Sequence, residues 1–268
     1  MFTPFVWTGM PPLSTSLIFS LITALVSGTF AAIVLRRWFE KRRPHLLAWG
    51  IGLVFYFIGA FSQVVLALVW SPLFFGLWYW TGALMVAPTL GQGTVYLLVR
   101  RGSIARNISM LLVLIGIMTL PWTLFLTPFN ADAWRPGTDI TAIFRDVTDA
   151  SGAVIQPGIM SGRASGTVRA FSPVMNVWGT VALAGGALYS AYLFRRKQIM
   201  RNRVVGNWLI AAGALLPALS GALIRLEMPE LKYAGEMLGV ILIFAGFTLA
   251  TNAPDDAPAQ QPQPAAGD

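Results

Sequence analysis

Cysteine is absent from the 268 residues, and histidine occurs once, at His45. The first absence excludes disulfides, thiolate metal sites, iron–sulfur clusters and cysteine nucleophiles. The second removes bis-imidazole haem ligation and leaves too few ligands for a histidine-built metal centre. Charge is scarce as well, at 11% of residues against about 25% in an ordinary soluble domain, whereas 56% of residues are hydrophobic, with 17 Phe and 10 Trp. That balance excludes a water-soluble enzyme and describes a surface solvated by lipid. A net charge of +8 points to nucleic acid only when the cations form one soluble patch; here they are dispersed among apolar runs, so no nucleic-acid partner is expected. HExxH, a Walker loop, GxSxG served by a histidine and a cluster of carboxylates within an apolar run are all missing. The sequence therefore predicts no enzyme and no cofactor.

What is present is a series of seven apolar runs, at residues 13 to 35, 46 to 70, 73 to 99, 108 to 129, 174 to 194, 204 to 224 and 233 to 251. Each approaches the ~20 apolar residues that a helix needs to cross a bilayer core of about 30 Å. The fold class expected is all-α, a polytopic seven-transmembrane-helix bundle. The loops after runs 1, 3 and 5 hold Arg36, Arg37, Lys41, Arg42, Arg43, Arg100, Arg101, Arg106, Arg195, Arg196, Lys197, Arg201 and Arg203. Basic residues in short loops stay in the cytoplasm, which places the N-terminus outside and the C-terminus inside. Residues 1 to 12 carry no Lys or Arg, so the first run reads as a retained span behind a short extracytoplasmic segment and not as a signal peptide. Residues 252 to 268, rich in Pro, Ala and Gln, read as a disordered cytoplasmic tail. Topology and anionic headgroups explain the basic loops, and docking of a cytoplasmic or membrane protein partner is the alternative.

One connection is long. Residues 130 to 172, about 43 in number, exceed what a helix connection needs, and such loops are usually functional or disordered. Residues 141 to 147 and 153 to 156 read as strands around the turn chemistry of residues 149 to 152, which suggests a small extracytoplasmic hairpin lid. A weak internal echo also appears. Arg195 and Arg196 stand 159 residues after Arg36 and Arg37, and the same offset carries Trp49 onto Trp208 and Ala32 onto Ala191. Three-helix units flanking a linker helix would make a parallel repeat, an arrangement found in small-solute transporters.

Polar and small residues within spans are costly in lipid and normally face protein or water. In the second run Trp49, Tyr56, Gln63 and Trp70 recur every seven residues beside Gly52 and Gly59, a single face at the helical period. Thr81, Pro88 and Gln92 share a face of the third run, and Gly213, Pro217 and Gly221 form a row on the sixth. Glu236 is the one acid inside a run, and Arg225 closes the preceding run on the same side, so the two suggest a surface ion pair or a ligand site. Trp7, Trp70, Trp78, Trp80, Trp122 and Trp134 fall near the outer boundary, where aromatic belts form. No lysine occurs from 236 to 251, and Lys232 reads as part of the preceding loop, which excludes a retinal Schiff base on the last helix. Gln63 reads as interhelical glue or as part of a pocket. Tyr56, Gln63, Trp80, Thr81, Arg225 and Glu236 are the candidate ligand-pocket residues, all at similar depth on the outer side, beneath the long loop.

The stretches LRRWFEKRRPHLLAWGIG, YWTGALMVAPTLGQGTVYLL, VRAFSPVMNVWGTVALAGGALYSAYLFRRK, GNWLIAAGALLPALSG and GEMLGVILIFAGF resemble an uncharacterised family of bacterial seven-helix integral membrane proteins. The resemblance covers most spans but neither the long loop nor the tail. It implies the seven-helix fold and a bacterial cell (inner) membrane, and it implies no activity. Its members more usually carry an acid near the position of Gln63 and an arginine where this chain has Leu77. The functional expectation is a non-enzymatic sensory, ligand-binding or accessory membrane protein, with the small-solute transporter as the alternative.

Overall fold

The computed structural model describes residues 14–99, 102–137, 139–149, 151–196, 201–223 and 230–251. Seven helices in it are long and apolar enough to cross a membrane: α1 (Thr15–Lys41), α2 (Pro44–Leu68), α3 (Pro72–Leu98), α4 (Ser103–Leu126), α5 (Ser165–Arg196), α6 (Arg201–Ser220) and α7 (Leu231–Thr251). The chain has the architecture of a multi-pass membrane protein. Consecutive helices are antiparallel, so the bundle has a basic end, where α1 meets α2, and a loop end, where α4 is joined to α5. The N-terminal segment before residue 14, Arg225 and the tail after residue 251 lie outside the described residues.

Local chemistry sets the helix ends. Ser14 caps α1, its hydroxyl accepting from the Leu17 amide, and Ser71 does the same for α3 through Phe74. Proline occupies the first position of both α2 and α3, where its missing N–H costs nothing. Between α1 and α2 the chain turns through Arg42 in the left-handed conformation (φ 51°), with its amide bonded to the Trp38 carbonyl. α1 continues past residue 35 to Lys41 because Arg and Lys are good helix formers and because the Arg37 guanidinium rests on the Phe247 ring of α7, 5.1 Å from its centroid.

The bundle is a ring of six helices in the order α1, α2, α3, α5, α6, α7, with α4 outside it against α3. Phe30, Leu53, Leu90, Leu183, Ala214, Val240 and Ile243, drawn from all six ring helices, form the central core, and a hollow of only about 30 Å³ remains among these helices. Glycine permits the closest approaches. A Cβ on Gly179 of α5 would lie 2.1 Å from the Ala87 carbonyl carbon of α3, and one on Gly213 of α6 would lie 2.6 Å from the Gly239 carbonyl oxygen of α7. Gly91 of the Gly91-Gln92-Gly93 run faces the Gly179 carbonyl, so this pair of glycines is packing chemistry.

Wide π turns interrupt α3 at Trp78–Met85 and α5 at Val181–Gly185, and one closes α4 at Trp122–Leu126. Proline accounts for the consequence in α3. In the i→i+5 pattern of a π turn the Ala83 carbonyl would receive residue 88, but Pro88 has no N–H. Ser172 Oγ and Asn176 Nδ2 of α5 each donate to that carbonyl at 2.7 Å instead. The backbone defect on one helix is thus repaired by its neighbour, as an apolar environment requires.

Two boundaries correct the sequence reading. The helix containing α5 begins at Gly162, not at residue 174, so the long connection is about ten residues shorter than expected. Its Gly- and Ser-rich start is helical because Ser165 Oγ bonds back to the Ser161 carbonyl, Arg169 reaches the Met160 carbonyl, and Val168 is fully buried. Tertiary burial here overrides the looseness that glycine implies. The connection does form a hairpin, β1 (Val147–Thr148) antiparallel to β2 (Val154–Gln156), but residues 140 to 143 are a single helical turn and not strand. The strands are exposed on both faces. Hydrogen bonds hold the turn: the Ser151 hydroxyl and the Ser151 and Ala153 amides donate to Asp149, keeping its carboxyl below the usual carboxylate range.

The 159-residue echo does not survive at side-chain level. Ala32 is exposed where Ala191 is buried, and Trp49 points inward to the Leu90 carbonyl (3.1 Å) whereas Trp208 is exposed.

Candidate functional site

Two turns separate Tyr56 from Gln63 on α2, which puts both on the face toward α7. Gln63 Nε2 donates to Glu236 Oε2 at 3.0 Å, and Gln63 Oε1 accepts from Ser20 Oγ of α1 at 3.0 Å. The amide orientation follows from chemistry, because an ionised carboxylate only accepts, so the NH₂ must face it. The Tyr56 phenol donates to the backbone carbonyl of Glu236 at 2.8 Å. One turn earlier on α7, Lys232 places its Nζ 3.3 Å from Glu236 Oε1, and also 5.4 Å from the Trp78 ring centroid and 5.7 Å from that of Tyr233. A polar row therefore runs Lys232, Glu236, Gln63, Ser20. Its inner members are 6% and 2% exposed, while the Lys232 and Glu236 side chains keep 16% and 20% of their surface. The row leads from the surface of the bundle to the seam between α1 and α2.

The long connection roofs this end. The Tyr233 phenol donates to Asp139 Oδ1 at 2.5 Å, and the same oxygen caps the helical turn beginning at Ile140. Trp134 Nε1 reaches the Leu66 carbonyl at 2.9 Å, and the Ile159 and Met160 amides bond to the Ile143 and Phe144 carbonyls. Ile159 and Met160 are fully buried against Phe75, Trp78 and Tyr79. Tyr233→Phe removes the phenol's hydrogen bond from α7 to this roof. We expect it to cost about 1 kcal/mol and to raise amide exchange across residues 139–144, measured by hydrogen–deuterium exchange, with little change in the spans.

Of the six pocket residues inferred from sequence, Tyr56, Gln63 and Glu236 come together as described. Thr81 is buried at the contact of α3 with Gly59 and spends its hydroxyl on the Leu77 carbonyl at 2.7 Å, so it joins the helix seam and not the polar row. Trp80 is a correction. Its Nε1 is shared between the Gly116 carbonyl and Thr119 Oγ1 of α4, at 3.3 and 3.2 Å. Its ring meets Phe55 of α2 edge-on, 5.2 Å between centroids, but its polar atom is committed to α4, away from the row. Arg225 lies outside the described residues; among the described residues Lys232 pairs with Glu236. Nor does Lys232 belong to the preceding loop, since it sits in the first turn of α7 with its ammonium engaged by Glu236. Trp78 and Trp134, read as boundary anchors, lie within the loop-end aromatic cluster.

The sequence reading missed Ser20, Lys232, Trp78, Tyr233 and Asp139. A signal existed for the first two. Ser20, Thr23 and Ser27 follow helical spacing and are all buried, and Lys232 stands four residues before Glu236, the spacing of an intrahelical ion pair. Asp139 and Tyr233 are 94 residues apart and had none.

The row offers a carboxylate, an ammonium, an amide and a hydroxyl, now satisfied by one another beneath a packed roof. Each could exchange its present partner for a ligand group of matching charge. The central hollow of about 30 Å³ lies deeper, among apolar side chains, and a larger groove of about 330 Å³ lies at the opposite, basic end. No protein-family model, no curated protein and no solved structure matches the chain.

Proposed function

We propose that the protein is a non-enzymatic multi-pass protein of a bacterial cell membrane which binds a small charged solute at the loop end of the bundle and acts as a sensor or accessory subunit. The observation that carries this reading is the Lys232–Glu236–Gln63 contact, an ion pair at the surface of the bundle continued inward by a buried amide. Ionisable groups inside spans are expensive and normally mark function. With the basic loops in the cytoplasm, the row faces the outside, and the cations at the other end offer a partner its docking charge. The family resemblance supports the bacterial membrane location.

The test is thermal unfolding of the purified chain in nanodiscs with a panel of small amines, carboxylates and amino acids. Binding to the folded state raises the midpoint. The reading expects at least one charged solute to do so in the wild type, and Gln63→Leu and Glu236→Gln to lose the response while remaining folded. A wild type that responds to no member of the panel, or variants that respond like it, would overturn the reading.

A second reading, small-solute transport, is favoured by the helix ring. The neighbours α1 with α2, α2 with α3, and α3 with α5 have counterparts in α5 with α6, α6 with α7, and α7 with α1, the contact pattern of two parallel three-helix units. Uptake by proteoliposomes containing only this protein would establish transport in place of sensing.

A further inference from the structure

At the basic end, on the flank of α4 that lies outside the ring, a groove of about 330 Å³ is lined by Tyr96 of α3 and by Arg106, Ser109, Met110, Val113, Leu114 and Ile117 of α4. Its lining is graded along the helix. Arg106 and Ser109 of α4, with Tyr96 near the end of α3, line its part nearest the basic end, and four apolar residues at helical spacing continue from them, each more than half exposed. From Arg106 to Ile117 the stripe spans about 16 Å at 1.5 Å per residue, close to the ~15 Å that is half of a bilayer core. The groove therefore measures one leaflet.

Charge selects the occupant. Among the described residues the basic end holds Arg36, Arg37, Lys41, Arg42, Arg43, Arg106, Arg195, Arg196, Arg201 and Arg203, with Glu40 as its one acid, paired to Arg36. No Asp or Glu occurs between Glu40 and Asp132, so Arg106 has no acid on its own helix or on α3, and among the described residues it makes no ion pair.

We infer that this groove is a site for one anionic phospholipid of the leaflet at the basic end, with its phosphate on Arg106, Ser109 and Tyr96 and one acyl chain laid along Met110, Val113, Leu114 and Ile117. Basic pockets beside transmembrane helices recognise headgroups in this way. The site lies at the end of the bundle opposite the polar row and does not depend on it.

Native mass spectrometry of the full chain, titrated with dioleoylphosphatidylglycerol or dioleoylphosphatidylcholine, tests the assignment. Phosphatidylglycerol should bind once per chain and more tightly than phosphatidylcholine. Arg106→Gln should weaken phosphatidylglycerol about fivefold, the contribution of one basic residue beside an anionic surface, should weaken phosphatidylcholine less because its choline cation already offsets the phosphate charge, and should leave the unfolding midpoint unchanged. Val113→Trp, which fills the chain groove and keeps the arginine, should weaken both lipids. Equal affinity for the two lipids, an Arg106→Gln variant that keeps the preference, or displacement of the lipid by inorganic phosphate at millimolar concentration would each overturn the site. So would a dimer that buries Met110 and Ile117 against a second copy.

Discussion

Gly179→Ala is expected to destabilise the bundle by about 3 kcal/mol or more, the upper range for overpacking where backbone and not side chain must yield. The added Cβ would stand 2.1 to 2.4 Å from the Ala87 carbonyl and the Pro88 nitrogen. No rotamer change relieves such a contact, and α5 must move off α3. That displacement also strips the Ala83 carbonyl of Ser172 and Asn176, the donors that replace the one Pro88 lacks. Gly185→Ala, six residues along the same helix, meets nothing within 4 Å and should be neutral, or stabilising by up to about 1 kcal/mol as alanine replaces glycine in a helix. Unfolding midpoints of the two variants in one detergent decide the matter; equal midpoints would remove the α3–α5 seam from the account.

Glu236→Leu is expected to cost about 2–3 kcal/mol. Removing one partner of a fully buried pair costs about 3–5 kcal/mol, and this pair keeps up to a fifth of its side-chain surface, which reduces the figure. The variant leaves the Lys232 ammonium against the Trp78 and Tyr233 rings with no carboxylate, and leaves Gln63 Nε2 without its acceptor. Lys232→Met in the same chain should restore most of the loss, because an apolar pair of similar volume has no charge to desolvate. A double-mutant cycle reads the coupling directly. Additive losses would mean that the two residues act separately and that the row does not exist as a unit.

The number and type of the helices were legible because lipid imposes one rule on every span, a run of apolar residues of fixed length. The α2 face was legible too, since Tyr56 and Gln63 repeat at a helical period and both are buried. What the sequence concealed was partner choice. Trp80 and Thr81 are adjacent in the chain and both meet α2, yet the Trp80 indole N–H is committed to α4, a distinction that needs the placement of α4 against the ring. Lys232 was hidden by counting the last span from its first apolar residue, although a lysine stem packs readily against rings while its ammonium stays at the surface. The start of α5 was hidden because glycine and serine loosen a local sequence, whereas the burial of Val168, Ile159 and Met160 beneath the roof is a long-range effect.

The central claim is that the Lys232–Glu236–Gln63 row and its roof lie on the outer side of the membrane while the basic end lies in the cytoplasm. Because the chain has no cysteine, single thiols report without background. In intact cells a membrane-impermeant thiol reagent should label Ser151→Cys, in the exposed hairpin turn of the roof, and should label Lys41→Cys only after permeabilisation. Labelling of Lys41→Cys in intact cells, with Ser151→Cys protected until the membrane is opened, would contradict the account.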